Sequence, residues 1–185
     1  MRSKIWVLTV CVLIAAIVLL VGGCSLIFPE TPEEDDAQGA IDPSPIEDTI
    51  TVLLYFGDPS AEGLAREERA ALRGSERTEA VVIRELIRGP DAEGLLPSIP
   101  QEARLLDIRV TEGTAFVSFS REIQTRHPGG STGEMLTVYS IVNSLTELPG
   151  IVQVQILIEG DKAETLAGHM EIMNPLARNP YIILP

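Results

Sequence analysis

Both cysteines of this chain lie at or before residue 24, and that placement limits what the rest can fold into. Arg2 and Lys4 precede an uncharged run from Ile5 to Val21, which closes on Gly22-Gly23-Cys24-Ser25. A positive start, an apolar stretch and small residues at a cleavage point are the marks of an export signal. Cys11 sits inside that signal and leaves with it. Residues 25–185 contain no cysteine, hence no disulfide and no thiolate metal site, and must fold by their hydrophobic core alone.

A cysteine directly after the small residues resembles the lipobox of bacterial lipoproteins. The resemblance implies that Cys24 takes a diacylglyceryl group, that the signal, residues 1–23, is cut before it, and that the mature protein is held on the outer face of the cell membrane. A second reading of the segment stays open. Its 17 residues exceed the usual signal core and just reach the length of a membrane span, so an uncleaved anchor fits as well. Both readings put the downstream domain on the same, extracytoplasmic side.

Removal of residues 1–23 leaves 162 residues, enough for one domain and a linker. The formal charge is −13, and −15 once Arg2 and Lys4 are gone. A chain this acidic is repelled by nucleic acid and by anionic lipid headgroups, so neither is an expected ligand. Residues 24–48 form the expected linker, a lipidated cysteine followed by an acidic, proline-rich tether without Lys or Arg. Such a segment buries too little apolar surface to offset its ordering entropy. Fully extended, it reaches about 70 Å from the membrane.

The folded part is expected over 49–178, with 179–185 as a C-terminal tail. Thr51 to Phe56 reads as an interior strand. Glu62 to Arg73 fits either a helical turn or a second strand. Glu79 to Arg88 has helical periodicity, with Ala80, Val82, Ile83, Leu86 and Ile87 on the core face, Arg84, Glu85 and Arg88 opposite, and Val81 exposed among them. Gly89-Pro90 stops it. Leu105 to Val110 and Thr114 to Phe119 flank Glu112-Gly113 as a hairpin, and Ser120 to Arg126 reads as a short helical turn. A second long helix spans about Thr132 to Leu148, and Gln153 to Ile158 is the last clear strand. Together these predict an α+β fold of βαββαβ type, a small mixed or antiparallel sheet with two helices on one face.

His127-Pro-Gly-Gly-Ser-Thr-Gly-Glu134 is the most distinctive local motif. A glycine-rich turn before a helix invites a phosphate cradle, but no Lys comes after the glycines, and Ser131-x-x-Glu134 predicts a capping box that uses those donors. In the second long helix, Asn143 is expected at the edge of the core stripe, bonded to a neighbouring loop. His127 and His169 are the only histidines, neither has a helical i+4 ligand, and no nucleophile elbow surrounds a serine. Composition and motifs therefore predict no enzyme, no metal and no cofactor.

Seven short runs carry a family resemblance: Leu53 to Pro59, Glu85 to Pro90 and Leu96 to Pro100, and then His127 to Glu134, Tyr139 to Thr146, Pro149-Gly150 and Leu166 to His169. Their order resembles a single GerMN domain, the sporulation and spore-germination domain. The resemblance implies an α/β domain similar to ring-building motifs, acting in assembly through envelope or sporulation protein partners, or through self-association, with no catalytic residues to carry over. His127, Gly129, Gly130, Ser131, Glu134, Tyr139, Asn143, Gly168 and His169 are its candidate structural or interaction residues. The competing expectation is a factor that binds or processes cell-wall peptidoglycan.

Overall fold

The computed structural model describes residues 48–185. Strands β1 (Thr49–Gly57) and β2 (Leu64–Leu72) form an antiparallel pair. Helix α1 (Thr78–Arg88) is next, then the hairpin β3 (Leu105–Thr111) and β4 (Thr114–Phe119). The short α2 (Glu122–Thr125) and the long α3 (Ser131–Leu145) lead to β5 (Gln153–Ile158), which pairs in parallel with β4. The two-residue β6 (Leu176–Ala177) and a 3₁₀ turn (Pro180–Ile182) come last. The class is α+β as expected, and the ambiguous 62–73 stretch is a strand. The strands, read from sequence as one small sheet, divide between two: β1-β2, and β3-β4-β5-β6.

Alternation decides which faces meet. Val52, Leu54 and Phe56 of β1, Ala115, Val117 and Phe119 of β4, and Val154, Ile156 and Ile158 of β5 share one core with both long helices. From α1 come Val81, Val82, Ile83 and Leu86, and from α3 Val138, Ile141, Val142 and Leu145. Val81 is fully buried, not exposed, and Glu85, one turn further along the same line, is buried with it. The cause is Arg69 of β2, whose Nη1 donates to Glu85 at 3.1 Å and draws the carboxylate inward.

The expectation that β1 is an interior strand is corrected, because it pairs along one edge only. Near its end, the other edge is satisfied by side chains and a loop. Tyr55 N–H donates to Ser144 Oγ at 3.1 Å, Ser140 Oγ donates to Tyr55 C=O at 2.5 Å, and Gly57 N–H donates to Ser98 Oγ at 3.0 Å. Leu96 N–H donates to Gly57 C=O at 2.8 Å. Ser140 and Ser144 stand four apart on one face of α3 and do the work of a missing neighbour strand. Ser144→Ala leaves the Tyr55 N–H buried and unpaired, and is expected to cost about 1–3 kcal/mol in urea unfolding. A loss near zero would mean that water reaches this edge.

The last seven residues, set apart in the sequence as a tail, are joined to the domain. Asn143 exchanges two bonds with the Asn179 backbone, at 3.0 and 2.9 Å. Leu184 N–H donates to Leu64 C=O at 2.9 Å, and Ile182 is buried with Tyr55, Leu64 and Leu136 in a second small cluster. Gly63 permits this approach, since a Cβ there would stand 2.6 Å from Ile182 C=O.

Candidate functional site

The glycine-rich motif builds one wall of a groove of about 410 Å³. Leu96 to Glu102 form the opposite wall, Gly57 and Ala61 close one end, and Leu136 and Thr137 of α3 form the floor. The lining is largely apolar, with Pro97, Pro100 and Pro128 stiffening it and Leu96 44% exposed at the surface. Arg126, Gln101 and Glu102 stand at the rim, exposed.

His127 ties the walls together. Gly129 N–H donates to Nδ1 at 2.9 Å, so that nitrogen carries no proton. Nε2–H therefore donates to Thr137 Oγ1 at 2.9 Å, and the threonine hydroxyl donates in turn to Ser98 C=O. Burial pushes the imidazole pKa below its ordinary value, although the Glu134 charge pulls the other way. The ring is a neutral spacer with both nitrogens occupied. Gly129 and Gly130 make the turn at φ 81° and 83°, a region where side-chain-bearing residues are strained.

The capping box predicted at Ser131 and Glu134 is not formed. Gly130 occupies the N-cap, with no side-chain cap bond, and Glu134 N–H bonds to Gly130 C=O. Glu134 turns the other way and is fully buried. Its Oε2 accepts from the N–H groups of Ala167, His169 and Met170 at 2.9–3.0 Å, and its Oε1 from His169 Nδ1–H at 2.8 Å. Burial alone would raise its pKa, but these donors outweigh it and hold the carboxyl down at about 2. Local sequence suggested a helix cap, and four donors on a loop more than thirty residues away win the carboxylate instead.

The predicted residues thus fall into separate groups. His127 and Gly129 shape the groove, and Glu134 takes His169 into a clasp for the 165–171 loop, in which Gly168 N–H donates instead to Thr165 Oγ1 at 3.1 Å. Tyr139 packs between the two apolar clusters. Asn143 lies at the other end of α3 and holds the C-terminal segment, so its predicted loop bond is present. Cys24, the signal and most of the tether lie outside the described residues. Sequence reasoning missed Ser98 and Thr137, whose partnership spans 39 positions. It also missed a second polar anchor in which Arg178 meets Tyr55 Oη at 2.7 Å and Glu147 at 2.6 Å. The one signal for either was a run of small polar residues inside the apolar stripe of α3.

The two histidines belong to different hydrogen-bond groups, and no serine, threonine or cysteine nucleophile stands beside a free base in the groove. Among the described residues, no group of three or more His, Cys, Asp or Glu could hold a metal ion. The geometry offers shape and apolar surface.

A family model described as Germane, sporulation and spore germination, matches residues 53–164. A crystal structure of a candidate lipoprotein from Clostridium perfringens is 25% identical with a TM-score of 0.50, over 70% of this chain and 87% of that one. The tandem GerMN domains of the sporulation protein GerM from Bacillus subtilis are 21% identical, with a TM-score of 0.59. That match covers 74% of this chain and 48% of the tandem. The first of those domains alone is 21% identical with a TM-score of 0.57, over 70% of this chain and 98% of the domain. At that identity the two B. subtilis structures speak to the fold, and their coverage corresponds to one unit. No curated protein matches in sequence.

Proposed function

The chain belongs to the Germane family, sporulation and spore germination, and from that premise we propose that it is a membrane-tethered interaction module of the cell envelope. Lipid on Cys24 anchors it to the outer face of the membrane. The acidic tether sets its reach, and the single GerMN-type domain engages protein partners of sporulation or germination through the groove beside His127. Binding, not catalysis, is its mode of action.

The observation that carries this proposal is the groove itself. Its polar groups are consumed in holding its shape, as in the relay from Gly129 through His127 and Thr137 to Ser98. What remains accessible is apolar surface with a polar rim, the composition of a docking site for a protein side chain. Two further supports are the lipobox-like sequence at Cys24 and the likeness to the C. perfringens candidate lipoprotein.

Fractionation of cells producing Cys24→Ala tests the anchor. Loss of the lipid site is expected to leave the signal uncut or to release the domain from the lipid-modified fraction, because each acyl chain contributes about 0.8 kcal/mol per buried methylene. An unchanged mature size and unchanged labelling by a lipid precursor would refute lipidation.

A further inference from the structure

Strand β2 has an edge that, among the described residues, is covered only at its two ends. Leu64 C=O accepts from Leu184 N–H, and Leu72 C=O accepts from the Arg84 guanidinium, so these two residues direct their backbone groups away from β1. Alternate residues of a strand point the same way. Arg66, Glu68 and Ala70 therefore also present N–H and C=O outward, and among the described residues none of these groups meets a partner. The β1–β2 register is continuous over nine pairs, without a bulge or proline to blunt the edge.

Two depressions flank that edge. One, of about 430 Å³, is lined by Glu67 to Ala70 with Asp91 and Ala92. The other, of about 530 Å³, is lined by Tyr55, Ala65, Arg66, Arg178 and residues 183–185. A strand laid along β2 would direct alternate side chains into each. On the outer face of β2 the side chains run Arg66, Glu68, Ala70, Leu72, with Leu72 53% exposed. Arg69, Arg73, Arg84 and Arg88 nearby all pair with carboxylates. Arg66 and Glu68 are exposed and have no ion pair among the described residues.

We propose that the edge of β2 at residues 66–72 binds an extended segment of a partner protein by strand addition. The selected segment presents, on alternate positions, an apolar, a small, a basic and an acidic side chain. In antiparallel register these meet Leu72, Ala70, Glu68 and Arg66 in turn. Charges on an edge strand deter unwanted pairing, and a partner with opposite charges at those positions converts the deterrent into selection. A second copy of the chain matches neither charge when it uses the free edge alone, since the self-pairing centred on Arg69 sets Arg66 opposite Leu72 and Glu68 opposite Ala70. The self-pairing that opposes Arg66 to Glu68 sets Ala70 opposite Leu64, where Leu184 already sits. Shifting by one pairing step opposes Glu68 to Glu68. This surface is separate from the groove, and either can fail without the other.

Fluorescence anisotropy of the full chain in detergent tests the proposal with two labelled peptides, Leu-Thr-Ser-Thr-Lys-Thr-Glu and the same peptide with Lys and Glu exchanged. The first is expected to bind roughly tenfold more tightly, from two matched against two mismatched cross-strand pairs. Ala70→Pro removes an outward N–H while leaving the ladder to β1 and both charges, and should reduce binding by about tenfold or more. Arg66→Glu with Glu68→Arg should invert the preference between the peptides, which remains decisive if the proline variant fails to fold. Equal binding of both peptides, no binding at millimolar concentration, or a preference unchanged by the charge reversal would overturn the proposal. Sedimentation showing self-association that Ala70→Pro abolishes would overturn it in favour of a second copy.

Discussion

Arg69→Ala is expected to destabilise the domain by about 3–5 kcal/mol, a large fraction of the 5–15 kcal/mol typical of a folded domain. Arg69 is 6% exposed, and its guanidinium binds Glu67, Glu85 and the C=O of Gly89. It also lies over the Phe56 ring, 5.6 Å from the centroid. Through these contacts one side chain fastens β2 to α1, to the glycine that ends α1, and to β1. Glu67 extends the network by accepting from Asp91 and Ala92 N–H at 3.0 and 2.9 Å. Truncation leaves buried Glu67 without a cation and buried Glu85 with only the half-exposed Arg84 and Arg88, and that under-compensated charge is the source of the cost. Urea unfolding should show a midpoint lower by about 2 M, taking a slope of about 2 kcal/mol/M. Changing Glu67 and Glu85 to Gln in the same chain should recover part of the loss, because the stranded charge disappears. A single-variant loss under about 1 kcal/mol would mean that water screens the pair.

Glu134→Ala is expected to cost about 3 kcal/mol, and the cost should depend on pH. The side chain accepts three backbone N–H groups and one imidazole N–H; a bond to a charged acceptor contributes about 1.5–3 kcal/mol net, and water reaching the freed loop donors in the variant holds the total near the upper figure. Its folded pKa, about 2, lies below the ordinary 4.5. A depressed carboxyl stabilises the fold fully above its unfolded pKa and loses that contribution as pH falls towards the folded one. Wild type and Glu134→Ala should therefore differ most above about pH 5 and converge between pH 4.5 and 2. Glu134→Gln, which keeps an acceptor oxygen but no charge, should fall between them with a flatter pH profile. Melting temperatures across pH 2.5–7 measure this, with a shift on the order of 10 °C at neutral pH for the alanine variant. Amide exchange should quicken at residues 167–170 in the variants. A pH-independent gap between wild type and Glu134→Ala would contradict the assignment of this group as the charged clasp.

These networks explain where the sequence was readable and where it was not. Strands such as Thr114 to Phe119 and the helices at 78–88 and 131–145 show their period in sequence, because core burial imposes it residue by residue. The two-sheet division was hidden, since it depends on Ser140 and Ser144 standing in for a neighbour strand beside Tyr55 of β1, 85 and 89 positions away. Val81 and Glu85 looked solvent-facing because Arg69, which turns that line inward, sits in the stretch with the least clear pattern. Ser131-x-x-Glu134 matched a local rule that a distant loop overrode. Of the candidate site, the His127 motif and its glycines were legible as a turn with unusual backbone needs. Its apolar floor and far wall were not, because Thr137 and Ser98 meet it only in three dimensions.

In the proposed mode of action, the groove beside His127 binds a protein partner while Cys24 holds the domain at the membrane. Photo-crosslinking in cells tests it most directly, with a photoreactive residue in place of Leu96 at the groove mouth and, as a control, in place of exposed Val152. A discrete protein adduct in the membrane fraction is expected from position 96 and none from position 152. Adducts to muropeptide fragments from position 96, or equal protein adducts from both positions, would contradict it.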